Sequence, residues 1–474
     1  MRSMFRLAIF GRLKMRSWSS PISPATPLTA RRNHQSSAPV AILGGGVSGL
    51  AFADAAGVPA VIFEKEDRVG GLCRSFESHG LYHDIGPHIV FSGAQERTDF
   101  MRALTPMTRH KRSNQILHRN RFVRYPFENQ LSALPDSERD WCLDTFLNNP
   151  HRELPAENML SFFLGVFGEG ITRTYLEPYN RKIWKLDPVQ MDIQMVERIP
   201  RPPDEHIVRS AAGEDIEGYT HQLHFWYPTD GGIESMVRGL AARGKEYVDV
   251  RTQAPVERVE IGSSGEFTVI SGGSRAHFPS LVNTIPLHEL VPRIRPQAPP
   301  DVIEALHRLR YNSIHVTVLN VDEDGLGPHF AIMIPSPNVS FHRVSKLDFL
   351  GPAYSIAGTS TLLAETTFRP DETTVSIPKE VSSQVIQSLE HLGLVPADSV
   401  NFCETRTFPY AYVVYDLHHR RNTDRVLTWL DSIGILSLGR FGRFEYINSD
   451  AAIATARAAG AAFAGNHGPT ATPT

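Results

Sequence analysis

A glycine pattern set between two short apolar runs constrains the fold of this chain more than any other feature. Val40 to Leu43 stops at Gly44-Gly45-Gly46, and the spacing Gly44-x-Gly46-x-x-Gly49 leads into residues 48–56, which read as a helix. Residues 60–63 form the second apolar run. Strand, glycine turn, helix and strand make a β-α-β unit that opens a parallel sheet. The first glycine permits the tight turn, the second lets the backbone approach a pyrophosphate, and the third lets helix and sheet pack closely. The helix N-terminus then offers free N–H groups to phosphate oxygens. Glu64 lies twenty positions beyond Gly44, at the end of the second run, where a carboxylate accepts hydrogen bonds from ribose hydroxyls. A dinucleotide site at Gly44, Gly46, Ser48, Gly49 and Glu64 is the expectation.

The remaining pattern is α/β. Residues 116–125 read as a hairpin turning at Arg119-Asn120, and residues 138–174 as mostly helical with breaks near Pro150 and Pro155. Residues 232–243, 377–392 and 451–463 read as helices. Strand signals lie at 256–261, 266–270, 280–284, 314–321, 362–367, 401–407 and 435–438. A chain of 474 residues with 41% hydrophobic content can bury the cores of two domains. A formal net charge of -3 gives no electrostatic case for a nucleic-acid partner. The longest apolar stretch, residues 40–63, is broken by glycines, Asp54 and Pro59, so no membrane span is expected. Cys73, Cys142 and Cys403 have no framework spacing, and His83, Asp84 and His88 lack further ligands at a suitable distance in sequence. No metal site is expected.

Residues 1–38 carry Arg2, Arg6, Arg12, Lys14, Arg16, Arg31 and Arg32 and no acidic residue. They read as a disordered tail, with Met15 as a later candidate start, or as a transit peptide. A cytoplasmic location is expected, with mitochondrial import left open.

The run from Glu64 through Lys65, Gly70-Gly71 and Arg74 resembles the extended FAD signature of the FAD-dependent amine oxidase and protoporphyrinogen oxidase superfamily. Asp84-Ile85-Gly86-Pro87-His88, Tyr125-Pro126-Phe127, Pro178-Tyr179-Asn180-x-Lys182-x-Trp184, Val339 to Arg343 and Tyr410-x-Tyr412 resemble its UDP-galactopyranose mutase-like branch. So does Gly439-Arg440-Phe441-Gly442 with Tyr446, Asn448 and Ser449. The chain departs from that branch at Met195, Val413, Phe444 and Ala451.

The resemblance implies a two-dinucleotide-binding-domain α/β FAD fold, Rossmann-like and discontinuous, with an inserted α+β substrate domain. The FAD-binding domain would comprise residues 39–105, 232–290 and 425–465. The substrate domain would comprise residues 106–231 and 291–424, largely helical between 138 and 200, with tails at 1–38 and 466–474. FAD would be held by Gly44, Gly46, Ser48, Gly49, Glu64, Lys65, Gly71, Arg74, Gly86, His88, Val256, Gly439, Arg440, Asn448 and Ser449. His88 and Arg343 would be catalytic. Arg198, Arg343, Tyr412, Tyr446, Trp184 and Asn180 would bind the substrate.

In the mutase branch, reduced flavin acts as a nucleophile on a nucleotide-activated sugar and the sugar is isomerised without net oxidation. A small-molecule substrate of that kind is implied, with a reductant such as NAD(P)H and a homo-oligomer left open. The alternative is an oxidase or dehydrogenase that passes hydride to FAD, as in the amine oxidases and protoporphyrinogen oxidases.

Overall fold

A computed structural model describes residues 38–196, 199, 202–216, 223–371 and 377–467. The expectations for the N-terminal tail and for Arg198 lie outside the described residues.

Strand β1 (Val40–Leu43), helix α1 (Val47–Ala56) and strand β2 (Ala60–Phe63) form the expected opening unit. β1 pairs in parallel with β2 and with Leu281–Asn283. Val248–Arg251 and Ile435–Ser437 complete a five-stranded parallel sheet at its two edges. Every residue of β1 and β2 is buried, which is why both read as unbroken apolar runs. The helix Ser449–His467 packs along α1, with Phe463 edge-on to Phe52. Asp54 of α1 holds Arg457 of that helix and Arg243 of the helix Glu234–Arg243.

A four-stranded sheet, in the order Ser274–Phe278, Phe267–Ser271, Val256–Ile261 and Ile294–Arg295, adjoins this layer in sequence. The second large sheet has seven strands: Val400–Val414, Arg310–Val321, Ser360–Phe368, Arg343–Lys346, Ala331–Met333, Asn114–His118 and Arg121–Arg124. Its last two strands are the expected hairpin, and Arg119 and Asn120 turn it with φ of 47° and 60°. Helices Asp136–Leu147 and Met159–Ile171 flank the expected break.

Three features differ from the expectations. The strand at 401–407 runs on to Val414, and in the motif Val339 to Arg343, which resembles a strand, the strand begins only at Arg343. A helix, His419–Ser432, stands where no helix was expected. Its buried side includes His419, Asn422 and Thr423 beside Val426, Leu427 and Leu430, so polar residues interrupt the apolar period. Among the described residues, no helix is long and apolar enough to cross a membrane.

Strands Arg310–Val321 and Val400–Val414 pair with a register break. Asn312 faces Tyr412 and Ile314 faces Phe408, so Pro409, Tyr410 and Ala411 stand opposite Ser313 alone. Such a bulge bends its strand out of the sheet.

Candidate cofactor and substrate site

The turn after β1 is built for close backbone approach. Gly44 has φ of +96°, and its N–H donates to the Phe63 carbonyl at 2.9 Å. A Cβ on Gly49 would overlap the Gly44 carbonyl oxygen, so this glycine sets the helix-to-strand distance. Gly46 lies against Gly71, whose Cβ, if present, would sit 3.2 Å from the Gly46 Cα. The first turn of α1 carries no acidic residue, and Gly46 gives no side-chain cap. Its N–H groups therefore face the turn without a protein anion.

Glu64 is 6% exposed. Its carboxylate accepts from the N–H of Gly45 at 2.8 Å and of Glu66 at 3.0 Å. These two bonds use one lone pair on each oxygen and leave the others available. Arg74 pairs with Glu66 at 3.0 Å and donates to the Gly71 carbonyl, so its charge is partly engaged within its own loop.

One cavity runs from this turn to the seven-stranded sheet. Gly44, Gly46, Ser48, Glu64, Lys65 and Gly71 line its first part. Arg74, His88, Val256, Gly439, Arg440 and Ser449 line the rest. Three expected cofactor residues do not line it. Gly49 is spent on packing, and Gly86 approaches the Glu365 carboxylate so closely that a Cβ would sit 2.7 Å from Oε1. Asn448 is exposed, and its carbonyl accepts from the N–H of Ala452 in the first turn of the helix Ser449–His467. That helix begins at the cavity, with Ser449 and Ala452 in its wall.

His88 is the titratable group at the inner end. Its Nδ1–H donates to the Gly86 carbonyl at 2.9 Å, which fixes the proton on Nδ1 and leaves Nε2 as an acceptor. Burial, helped by the charges of Arg440 and Arg343, draws its pKa down to about 4. Beneath it, Asp84 accepts from Ser75 Oγ at 2.6 Å, Tyr227 Oη at 2.7 Å and the Ile233 N–H at 3.1 Å. Burial nevertheless raises Asp84 to about 6. The thiol of Cys73, also in the cavity wall, is pushed up to about 12 by burial and stays protonated.

The face beyond His88 is aromatic and cationic. Trp184 stands edge-on to Tyr412 at 5.8 Å and to Tyr446 at 5.3 Å. Arg440 lies over the Tyr446 ring at 4.9 Å and donates to the carbonyls of Ile447 and Ala411. Arg343, expected to bind the substrate, is paired within the protein. Nε and Nη2 grip the buried carboxylate of Glu365, and Tyr412 Oη approaches the same carboxylate at 3.5 Å. Asn180 serves its own helix, donating to the Leu176 carbonyl and accepting from Trp184 Nε1 at 2.9 Å, so it orients Trp184.

The family model for flavin-containing amine oxidoreductases matches residues 47–421. This chain belongs to the flavin-containing amine oxidoreductase family. The fold is that of reduced UDP-galactopyranose mutase, with TM-score 0.81 and 22% identity over 91% of this chain and 96% of that one. A putative protoporphyrinogen oxidase from Exiguobacterium superposes with TM-score 0.69 and 18% identity over 90% of this chain and 99% of that one. Putrescine oxidase superposes with TM-score 0.60 and 17% identity over 90% and 98%. Hydroxysqualene dehydroxylase of Sinorhizobium fredii is 40% identical over 70 residues, a stretch spanning 14% of this chain and only 17% of that protein.

As a flavin-containing amine oxidoreductase the chain uses FAD, and the fold is the expected two-dinucleotide-binding-domain type. The cavity fits that cofactor: it has an uncapped helix start, a side-chain-free approach between Gly46 and Gly71, and a buried carboxylate with open lone pairs. Glu365 and Arg112 carry no motif in the sequence, and Lys182 stands in one without a role assigned. Glu365 had one available signal, a charge inside the apolar strand Ser360–Phe368. Lys182 Nζ donates to the carbonyls of Ile334 at 2.8 Å and Ser336 at 2.7 Å, and burial draws it down to about 7. Arg112 is half-buried near Tyr125 and Arg343, its guanidinium over the Phe91 ring at 4.9 Å, with Nε and Nη2 buried and lacking a hydrogen-bond acceptor. Nothing in the sequence around Arg112 marks it.

Proposed function

We propose that this chain isomerises a nucleotide-activated sugar with the help of reduced FAD. The observation that carries the reading is the cluster of Arg343, Tyr412, Tyr446 and Trp184 beside His88. Glu365 uses Nε and Nη2 of Arg343 and leaves Nη1 for a ligand. A guanidinium fixed in this way, with two tyrosine hydroxyls nearby, suits diphosphate oxygens. The orphaned N–H groups of Arg112 also favour an anionic ligand.

FAD is assigned to the cavity residues Gly44, Gly46, Ser48, Glu64, Lys65, Gly71, Arg74, Val256, Gly439, Arg440 and Ser449, with His88 at its reactive end. When reduced and bound, it supplies a nitrogen nucleophile for the anomeric carbon. His88 Nε2 is an acceptor at any pH above about 5, so it suits an N–H donor, which the flavin edge becomes on reduction. Arg343 and Tyr412 orient the diphosphate and hold its charge as the bond to the sugar breaks. A reductant such as NAD(P)H would maintain the reduced state.

The second reading is an FAD-dependent oxidase or dehydrogenase, which the family as a whole favours. The test mixes the holoprotein with UDP-galactose, with and without dithionite. Isomerisation only in the reduced sample, with no oxygen consumed, is the expected result. Oxygen uptake with an amine or porphyrinogen, and no sugar isomerised in either sample, would overturn the proposal in favour of the oxidase.

A further inference from the structure

The bulge in the strand Val400–Val414 falls where that strand passes over the cofactor cavity. Phe408, Pro409 and Tyr410 come from the seven-stranded sheet, yet they line the same cavity as Glu64, Lys65, Val256 and Glu289. The segment is tied at three points. Ser313 Oγ donates to the Pro409 carbonyl at 2.7 Å, filling the place opposite the bulge. Arg440 Nη1 donates to the Ala411 carbonyl at 3.1 Å. Tyr410 Oη donates to Glu289 Oε1 at 2.9 Å, and both residues line the cavity.

This last bond is well supported on both sides. Tyr410 stacks on Tyr311 at 4.7 Å and meets Phe441 at 5.4 Å, so its ring has little freedom. Glu289 is held from behind by Arg293 at 2.8 Å, and Arg293 also lines the cavity. Two parts of the chain 121 residues apart therefore meet through one hydroxyl and one carboxylate, over a space that must admit a dinucleotide.

We infer that Pro409–Ala411 is a strap closed by a latch from Tyr410 to Glu289, and that FAD enters and leaves only when the latch opens. The inference rests on FAD being the cofactor and is independent of which substrate is turned over. A closed latch slows entry and exit alike. A simple contact with bound FAD would slow exit alone, and this difference makes the idea testable.

Release is read by exchanging bound FAD for excess 8-chloro-FAD and following absorbance. Entry is read by stopped-flow quenching of FAD fluorescence on mixing with deflavinated protein. Tyr410→Phe and Glu289→Ala should each speed both steps at least about tenfold, the size of one hydrogen bond to a charged acceptor. The double variant should be no faster than either alone, because both remove the same bond. Ser313→Ala, which lies outside the cavity wall and frees the Pro409 carbonyl, should also speed both steps, and it carries the test if the other variants fail to fold. Unchanged rates in the folded variants, or faster release with unchanged entry, would overturn the latch.

Discussion

Arg343 and Glu365 are register partners on neighbouring antiparallel strands, and their side chains close a two-point ion pair. Glu365 is 1% exposed and the Arg343 side chain 29%. Removing the carboxylate leaves a guanidinium without its counter-charge, a change that costs about 3–5 kcal/mol when the pair is fully buried. Glu365→Ala should lose about 3 kcal/mol, the low end, because Arg343 keeps part of its hydration. Chemical denaturation would measure this, and the visible flavin spectrum of the folded variant should be unchanged. A loss below about 1 kcal/mol would mean the pair is solvated.

Glu64→Ala removes the acceptor of two backbone N–H groups, each costing about 1–3 kcal/mol when orphaned in a buried site. It also removes the carboxylate offered to the ribose. FAD affinity, titrated by fluorescence quenching, should fall at least about tenfold. Equal affinity in variant and parent would place the ribose elsewhere.

Gly49→Ala would drive a methyl group into the Gly44 carbonyl and push α1 off β1. Overpacking of this kind costs about 1–3 kcal/mol. Both thermal stability and FAD affinity should drop, since the phosphate turn moves with the helix. Gly93→Ala is the control: a Cβ there meets nothing within 4 Å, so both measurements should stay level.

Acid should weaken the fold before most carboxylates titrate. Burial draws His83, His88, His288 and His315 down to about 4 and His419 to about 3. Each folded value lies below the ordinary 6.5, so the unfolded chain takes up protons that the folded chain refuses. Their contribution is complete above about pH 6.5 and is lost as the pH falls towards 4. Asp84, raised to about 6, acts oppositely, as do Asp348 and Asp431, which burial also raises, but the five histidines outnumber them. The thermal midpoint should fall between pH 6.5 and 4.5. His315→Phe, which preserves the stack on Phe368, should flatten that slope. A midpoint that rises on acidification would contradict the buried, neutral state of these rings.

The cofactor half of the site was legible because its signals are local. Gly44, Gly46, Gly49 and Glu64 lie within one β-α-β unit, where spacing alone sets geometry. The Arg119-Asn120 turn was legible for the same reason. The substrate half was harder, because Glu365 meets Arg343 only through the pairing of two strands, a register that neither segment encodes by itself. Arg343 was accordingly expected as a substrate ligand, with Glu365 unremarked. Arg112 was missed because its isolation is a property of what surrounds it in space. The helix His419–Ser432 was missed because Asn422 and Thr423 occupy core-facing positions.

The five-stranded sheet takes its central strands from residues 40–63 and Leu281–Asn283, and one edge from Ile435–Ser437. During synthesis the first β-α-β unit emerges nearly four hundred residues before that edge strand can dock. The first two strands have both neighbours once Asn283 has been made, but Leu281–Asn283 keeps an open edge until the ribosome has delivered Ser437. Such long-range closure slows folding and leaves partly made chains open to aggregation.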